Sequence, residues 1–444
     1  MRLPAGGDPA RNAHLPVPDI RGNAGVRLVE PVVAGRLAGV GGGVLVLLVE
    51  PEGREGDVRD RTVLQAREVA SLPAVLPQFD GDVPVVVVPD FGDEAVLQQG
   101  RPRGVDAVFA ADVGRQEPVV VVSVRARIEL VAVGETGVKY DIVENPDDPA
   151  NFEALVKEDT KVIYIESITN PNATILDIEA IANIAHKHGI PLIVDNTVAT
   201  PYLLNPFDFG ADVVVYSATK GLTGHGNVIA GAIVENGKFN WKNGKFPQFD
   251  GQPHFLVSQQ GVTRSFYDVF PDTPFTGRIR AIHLNYLGGA IAPFNSYLVL
   301  LGIETLSERL SKSVKSAEKI VEFLETRPEV FWVNHPHAKN SKYKALAAKY
   351  FPKGAGAILS FGLKKNDRAT IIKFLEAVKV FSFQANIGDA RSLIINPSTT
   401  THIELPERAQ ELADIHSETI RLSIGLEDVN DLIADLEQAF VAIQ

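Results

Sequence analysis

Residues Asp212 to Gly226 read DVVVYSATKGLTGHG, a run of β-branched residues that stops at a small polar turn holding one lysine. The run predicts a buried strand. Ser217, Thr219 and Lys220, followed by Gly221, Gly224 and Gly226, put two hydroxyls and an amine at its carboxyl end. Strand ends of open α/β sheets are where ligands bind. An amine beside an apolar strand can have its pKa lowered until it serves as an imine-forming nucleophile, a role closed to arginine. Read alone, the stretch fits a surface lysine after an edge strand equally well.

Upstream, the pattern from Val138 onwards is orderly. It predicts a helix over Pro149 to Val156, a strand over Thr160 to Glu166, and a helix in which Ile178, Ile181, Ala182, Ile184 and Ala185 recur at helical spacing before Gly189. The short apolar strand PLIVD then ends at Asp195. The order β-α-β-α-β predicts a parallel sheet with crossover helices.

Downstream, residues 234 to 280 read as a polar and aromatic excursion of loop and surface helix, and Leu284 to Leu324 as a mostly helical connector. Strands at VFWVNHP, Ala357 to Leu363, SLIINP and TIRLSIGL alternate with helices near Lys342 to Tyr350, Ala369 to Ala377, Pro406 to Asp414 and Asp428 to Ala442. They predict a smaller α/β domain packed against the first.

The composition breaks near Gly134 to Lys139. Before it stand 14 arginines and no lysine or tyrosine, with valine over-used in VPVVVVPD (Val83 to Asp90) and PVVVVSV (Pro118 to Val124); all nine tyrosines follow it. One evolved domain seldom changes its habits so sharply, so residues 1–136 are expected to stand apart. They read as a small β-rich domain or, favoured, as a stretch never selected for a core, such as a translated non-coding frame of a GC-rich gene gives. Arg61 to Leu72 is its best helix candidate, and Gly39 to Gly43 lacks the spacing of a phosphate loop.

A length of 444 residues predicts two or three domains. A net charge of -12 argues against nucleic acid as a partner, since neutralising phosphates takes clustered Lys and Arg. No apolar run reaches membrane-spanning length, and MRLPAGGDPARN has no apolar segment after a basic start, so no secretory signal is expected. With no cysteine there is no disulfide, thiolate metal site or cysteine nucleophile. No metal site is expected, and the cytoplasm is the default compartment.

Three features converge. Asp195 ends one strand, Lys220 ends another 25 residues later, and Ser217 and Thr219 flank the lysine. Helix capping would account for Asp195, Ser217 and Thr219 without any ligand. An aldehyde cofactor with a pyridine ring and a phosphate needs such a set: an amine for the imine, a carboxylate to keep the ring nitrogen protonated, and donors for the phosphate. Pyridoxal 5'-phosphate satisfies all three demands.

VDNTVATP (Val194 to Pro201), YSATKGLTGHGNVIAGAI, PFNSYLVLLGIETLSERLSKS, NIGDARSLIINPSTTTH (Asn386 to His402) and IRLSIGLEDVNDLIADLEQA together resemble the Cys/Met-metabolism pyridoxal-phosphate enzymes over about residues 137–444. The pattern around Trp241 and the INPSTTTH stretch look most like the O-acetylhomoserine sulfhydrylase group. The resemblance implies an α/β, fold-type I transferase-like architecture, with a partial cofactor domain over 137–295 and a smaller C-terminal domain over 296–444. It implies that Lys220 forms the imine, that Asp195 pairs with the ring nitrogen, that Ser217 and Thr219 hold the phosphate and that Asn170 lies near the ring hydroxyl. Arg421 would grip the substrate α-carboxylate and Ser392 would face substrate and lysine. The implied reaction is γ-replacement of acetate by sulfide or a thiol in methionine and cysteine metabolism, by a homo-oligomer, tetrameric as a rule in the family.

The same family places a glycine-containing phosphate loop, a ring-stacking tyrosine and a tyrosine-arginine pair for the neighbouring subunit's site before the segment matched here. None is legible in the first 136 residues. Three alternatives therefore stand beside the leading one: a cystathionine γ-synthase or γ-lyase, which shares every motif; a catalytically impaired remnant behind an unrelated leader; and a nicotinamide-dependent dehydrogenase, disfavoured because no GxGxxG opens a helix after a strand.

Overall fold

A computed structural model of the chain describes residues 119–123, 138–259, 261–403, 405 and 407–444, all within the compact unit Pro102–Gln444. The helix expected at Arg61 to Leu72, the glycine-rich Gly39 to Gly43 and the valine run Val83 to Asp90 lie outside the described residues.

Six strands form the first sheet: β1 (Val119–Ser123), β2 (Lys139–Val143), β3 (Thr160–Glu166), β4 (Leu192–Asp195), β5 (Val213–Ser217) and β6 (Gly231–Glu235). Their order is β2-β1-β3-β4-β5-β6. All neighbours run parallel except β6, which returns antiparallel beside β5. The lysine-bearing strand β5 is thus interior, which removes the edge-strand reading.

β1 lies before residue 137, where the composition draws its boundary. VVVVS precedes the composition break, yet it pairs with β2 on one side and β3 on the other. A parallel sheet needs such a neighbour, because the main-chain groups of β2 and β3 that face the gap would otherwise lack partners.

Crossover helices α1 (Ala150–Leu155) and α2 (Ile178–Lys187) separate β2, β3 and β4. In α2 the helical spacing buries Ile178, Ile181, Ala182 and Ala185. The Asp177 carboxylate caps the helix by accepting from the Ala180 N–H at 3.3 Å.

The excursion after β6 is more ordered than its polar text suggests. Trp241, Phe246 and Phe249 are buried, and Trp241 stacks on Phe275 at 5.6 Å between ring centres. The Trp241 indole N–H donates to Glu235 Oε1 at 2.8 Å, tying the cluster to β6. Aromatic side chains bury enough apolar area each to hold a segment that has little regular structure.

The expected connector is two helices, α3 (Pro293–Glu304) and α4 (Leu306–Leu324), which meet at Thr305. On α4, Leu306, Leu310 and Val314 belong to the first core, whereas Ala317, Ile320, Val321 and Leu324 belong to a second. One rod therefore serves both. The second core lies on a sheet of β7 (Val330–Asn334), β8 (Ile358–Leu363), β9 (Ser382–Phe383), β10 (Leu393–Ile395) and β11 (Thr419–Ser423), in the order β7-β8-β11-β10-β9. Its strands are antiparallel apart from the β9–β10 pair. Helices α5 (Lys344–Tyr350), α6 (Arg368–Ala377), α7 (Glu407–Leu412) and α8 (Val429–Ala442) complete the C-terminal part, with Phe361, Phe374 and Phe440 at its centre. Among the described residues no helix is long and apolar enough to cross a membrane.

Candidate active site

Parallel pairing brings the two key strand ends to one edge: Asp195 of β4 lies opposite Val215 of β5, so the chain turns into the lysine segment just beyond it. Asp195 Oδ1 accepts from the Thr197 N–H at 2.8 Å, and Oδ2 from the Tyr164 hydroxyl at 3.1 Å. Thr197 Oγ1 accepts from the Ser217 N–H at 2.8 Å, stitching the end of β5 to the turn after β4.

The lysine turn is built on main-chain bonds. The Lys220 N–H donates to Ser217 O at 3.1 Å, and Lys220 O accepts from the Gly224 N–H at 2.8 Å. The Thr219 hydroxyl is occupied, donating to Ala230 O at 3.2 Å and accepting from the Ala230 N–H at 2.9 Å. From α4, buried Arg309 reaches beneath the turn, donating to Gly221 O at 2.9 Å and Leu222 O at 3.1 Å. Its other donors go to Gly302 O at 2.7 Å and Thr305 Oγ1 at 3.1 Å.

Half-buried Lys220 donates to Asn386 Oδ1 at 3.1 Å. Burial, and secondarily the positive charge of Arg421, hold its amine below the usual lysine range. Arg421, on β11, is almost fully buried. It donates through Nη1 to Asn170 Oδ1 at 3.0 Å and through Nη2 to Asn386 O at 2.8 Å. Nε has no partner, and among the described residues no carboxylate pairs with the guanidinium. Burial alone lowers its pKa to about 9. A buried cation with a spare donor is prepared for a carboxylate from outside the chain. Near it, buried His402 is pushed down to about 4, by burial first and by Arg421 second.

The structure thus joins Lys220 to Arg421 through Asn386, and Arg421 in turn to Asn170, and it places Asp195 and Ser217 along the same sheet edge. Ser392 is held elsewhere. Its N–H and hydroxyl donate to the Glu427 carboxylate at 2.9 and 2.7 Å, and the hydroxyl accepts from the Gly425 N–H at 2.8 Å. Asn386, Arg309, Tyr164 and Thr197 were not anticipated. The glycine-aspartate turn in ANIGDARS was the available signal for Asn386.

A cavity of about 30 Å³ lined by Lys220, Thr197, Ile387 and Ser423 opens beside the amine. A far larger one, about 560 Å³, runs along β7 and residues 334–343. The smaller one marks the chemistry, because the low-pKa amine of Lys220 lines it.

The set fits pyridoxal phosphate: a low-pKa amine, a strand-end carboxylate held by two donors, a Ser217 hydroxyl beside the lysine, and a guanidinium without an anion. The sequence profile of the Cys/Met metabolism PLP-dependent enzymes matches residues 127–441. The chain belongs to this family. As a member it is a pyridoxal-phosphate enzyme of fold-type I architecture. The family match starts at residue 127, ten residues before the segment resembling it was expected to begin.

Among its relatives, the O-acetyl-L-homoserine sulfhydrylase of Leptospira meyeri is 41% identical over 313 residues, 68% of this chain and 69% of the relative. Among solved structures, an O-acetylhomoserine (thiol)-lyase from Campylobacter jejuni superposes with a TM-score of 0.69 at 35% identity, covering 76% of this chain and 80% of that one. That structure carries a pyridoxyl-lysine phosphate. Cystathionine γ-lyase from Lactobacillus plantarum, complexed with L-serine, gives 0.62 at 28% identity, covering 76% and 80%.

Proposed function

We propose that this family member is an O-acetylhomoserine sulfhydrylase: it replaces the acetate on the γ-carbon of O-acetylhomoserine with sulfide or a thiol. With sulfide the Cγ–O bond breaks, a Cγ–S bond forms, and homocysteine and acetic acid leave. The observation that carries the reading is the pairing of a low-pKa amine, Lys220, with an anion-free guanidinium, Arg421, on the two sides of one residue, Asn386.

When bound, pyridoxal phosphate supplies the imine-forming aldehyde and an electron sink at the substrate α-carbon. The protein's part is binding, orientation and proton movement. Arg421 takes the substrate α-carboxylate through Nε and the open side of its fork. That fixes the amino-acid end, while the acyl end points away from the guanidinium. Lys220, uncharged at working pH more readily than an exposed lysine, holds the cofactor and moves protons at Cα and Cβ. Asp195, oriented by the Thr197 N–H and the Tyr164 hydroxyl that donate to it, is assigned to the ring nitrogen. Ser217 and Thr219 are assigned to the phosphate, Ser217 with a hydroxyl that has no partner among the described residues and Thr219 by exchanging its Ala230 bond. Asn170 steadies Arg421, and Ser392 acts through the loop that Glu427 holds.

We further propose that a second copy of the chain covers α3, where Phe294, Tyr297, Leu300 and Leu301 are exposed. An apolar face of this size is a liability on a lone chain. The homo-oligomer so formed would work in the cytoplasm on a small amino acid. Light scattering of the parent and of Leu300→Asp checks this, and a monomeric parent refutes it.

The test of the activity is homocysteine production from O-acetylhomoserine and sulfide, together with the visible imine band formed with pyridoxal phosphate. Lys220→Ala is expected to abolish both. The likeness to cystathionine γ-lyase favours one second reading, cleavage or synthesis of cystathionine, and the same preparation offered cystathionine separates them. Absence of any visible band in the parent chain would leave the impaired-remnant reading standing.

A further inference from the structure

Asn386 bridges the lysine amine and the buried guanidinium. Its carboxamide oxygen accepts from Lys220 Nζ at 3.1 Å, and its main-chain carbonyl accepts from Arg421 Nη2 at 2.8 Å. The orientation of the carboxamide is set from behind. Nδ2 donates to Asp389 Oδ2 at 3.3 Å, and buried Asp389 is itself tied to Arg391 at 3.1 Å. Turning the amide over would aim its NH₂ at the lysine amine and its oxygen at the Asp389 carboxylate, losing both bonds.

The backbone leaves little room for slippage. Gly388, at φ +67°, lies so close that a Cβ there would stand 2.7 Å from Gly221 N. A Cβ on Gly226 would stand 2.7 Å from Asp389 Oδ2. The Ala390 N–H also donates to Gly224 O at 2.7 Å. The loop over residues 386–391 is thereby fastened to the lysine turn at three points just after Lys220.

We propose that Asn386 is a positioning residue for Lys220: its carboxamide oxygen stations the amine whenever the amine is not bonded to cofactor, while its main-chain carbonyl sets Arg421. The inference rests on the functional reading above. A neutral acceptor suits the task, because the charged group facing Lys220 is Arg421, and the one carboxylate behind Asn386, Asp389, is engaged by Arg391. A carboxylate at the same place would hold the lysine as its ammonium and withdraw it from chemistry.

The experiment uses the full chain stripped of pyridoxal phosphate, with urea midpoints to confirm folding. Lys220 is acetylated at low conversion at about pH 8, where an ordinary exposed lysine is almost wholly protonated, and its peptide is quantified by mass spectrometry against exposed Lys238. Asn386→Asp is expected to slow Lys220 labelling about tenfold, the effect of an opposite charge at hydrogen-bond range. In the loaded enzyme, Asn386→Leu keeps the main-chain carbonyl on Arg421, so kcat is expected to fall tenfold or more while KM for the amino acid changes by less than about threefold. Unchanged labelling in Asn386→Asp, or a loss confined to KM in Asn386→Leu, overturns the proposal. A labelling response in a chain that makes no homocysteine overturns the functional reading and leaves the contact standing.

Discussion

Replacing Arg309 with methionine removes the guanidinium beneath the lysine turn while keeping most of the apolar stem. The main-chain carbonyls of Gly221 and Leu222 lose their donor, as does Thr305 Oγ1, while Gly302 O keeps the Thr305 N–H at 3.3 Å. Each buried carbonyl left unsatisfied costs about 1 to 3 kcal/mol. Against that stands relief from burying a cation that has no carboxylate partner among the described residues, a burden visible in the lowered pKa of Arg309. The net loss for Arg309→Met is expected to be about 2 to 4 kcal/mol. Urea unfolding followed by far-UV circular dichroism measures it as a shift of midpoint at constant slope. Arg309→Lys, with a compact ammonium in place of the planar fork, is expected to recover part of the loss but not all. A methionine variant within about 0.5 kcal/mol of the parent would refute the reasoning, since that is the scale of an ordinary surface substitution.

Acid should unfold the protein through His335 and His402, both buried and both pushed down to about 4 by burial. The unfolded chain takes up these protons near the ordinary value of about 6.5, so the stability from keeping the rings neutral is full above that pH. It is lost as pH falls toward 4, at up to roughly 3 kcal/mol per ring, and midpoints measured across this window check it. Gly388→Ala places a methyl 2.7 Å from Gly221 N at a φ of +67°; a loss of about 1 to 3 kcal/mol with weakened pyridoxal-phosphate binding is expected by titration of the visible band. Trp241→Ala empties the aromatic cluster and strands Glu235 Oε1, with an expected cost of about 3 to 5 kcal/mol by chemical denaturation.

The sequence made some of this legible because one rule dominated locally. β3 was readable to the residue, since TKVIYIE is a β-branched run bounded by turns. α2 was readable from its period and the Gly189 stop. Asp195 and Lys220 were legible at strand ends as candidates only, and the resemblance to the family supplied their roles. Other features depend on partners distant in sequence. β6 (GAIVE) looks like any short apolar run until β5 offers it an edge. Asn386 stands 166 residues from Lys220, and only the close approach at Gly388 brings them together. The aromatic excursion read as surface because its many lysines and asparagines masked a buried Trp-Phe set. Ser392 was assigned by resemblance, and no local pattern could have revealed its bonds to Glu427.

The helix shared by the two cores has a consequence for anyone recombining this chain with its relatives. Leu306, Leu310 and Val314 face one core and Ala317 to Leu324 the other, and the chain later returns to the first with Tyr350, Phe351 and Ile358. No single crossover point separates the two halves. A chimera joined at residue 295, where sequence alone draws the seam, would set one parent's α4 against the other parent's lysine turn, and Arg309 would meet carbonyls it did not evolve beside. Exchange of the C-terminal half is expected to succeed only when α4 and the lysine turn travel together.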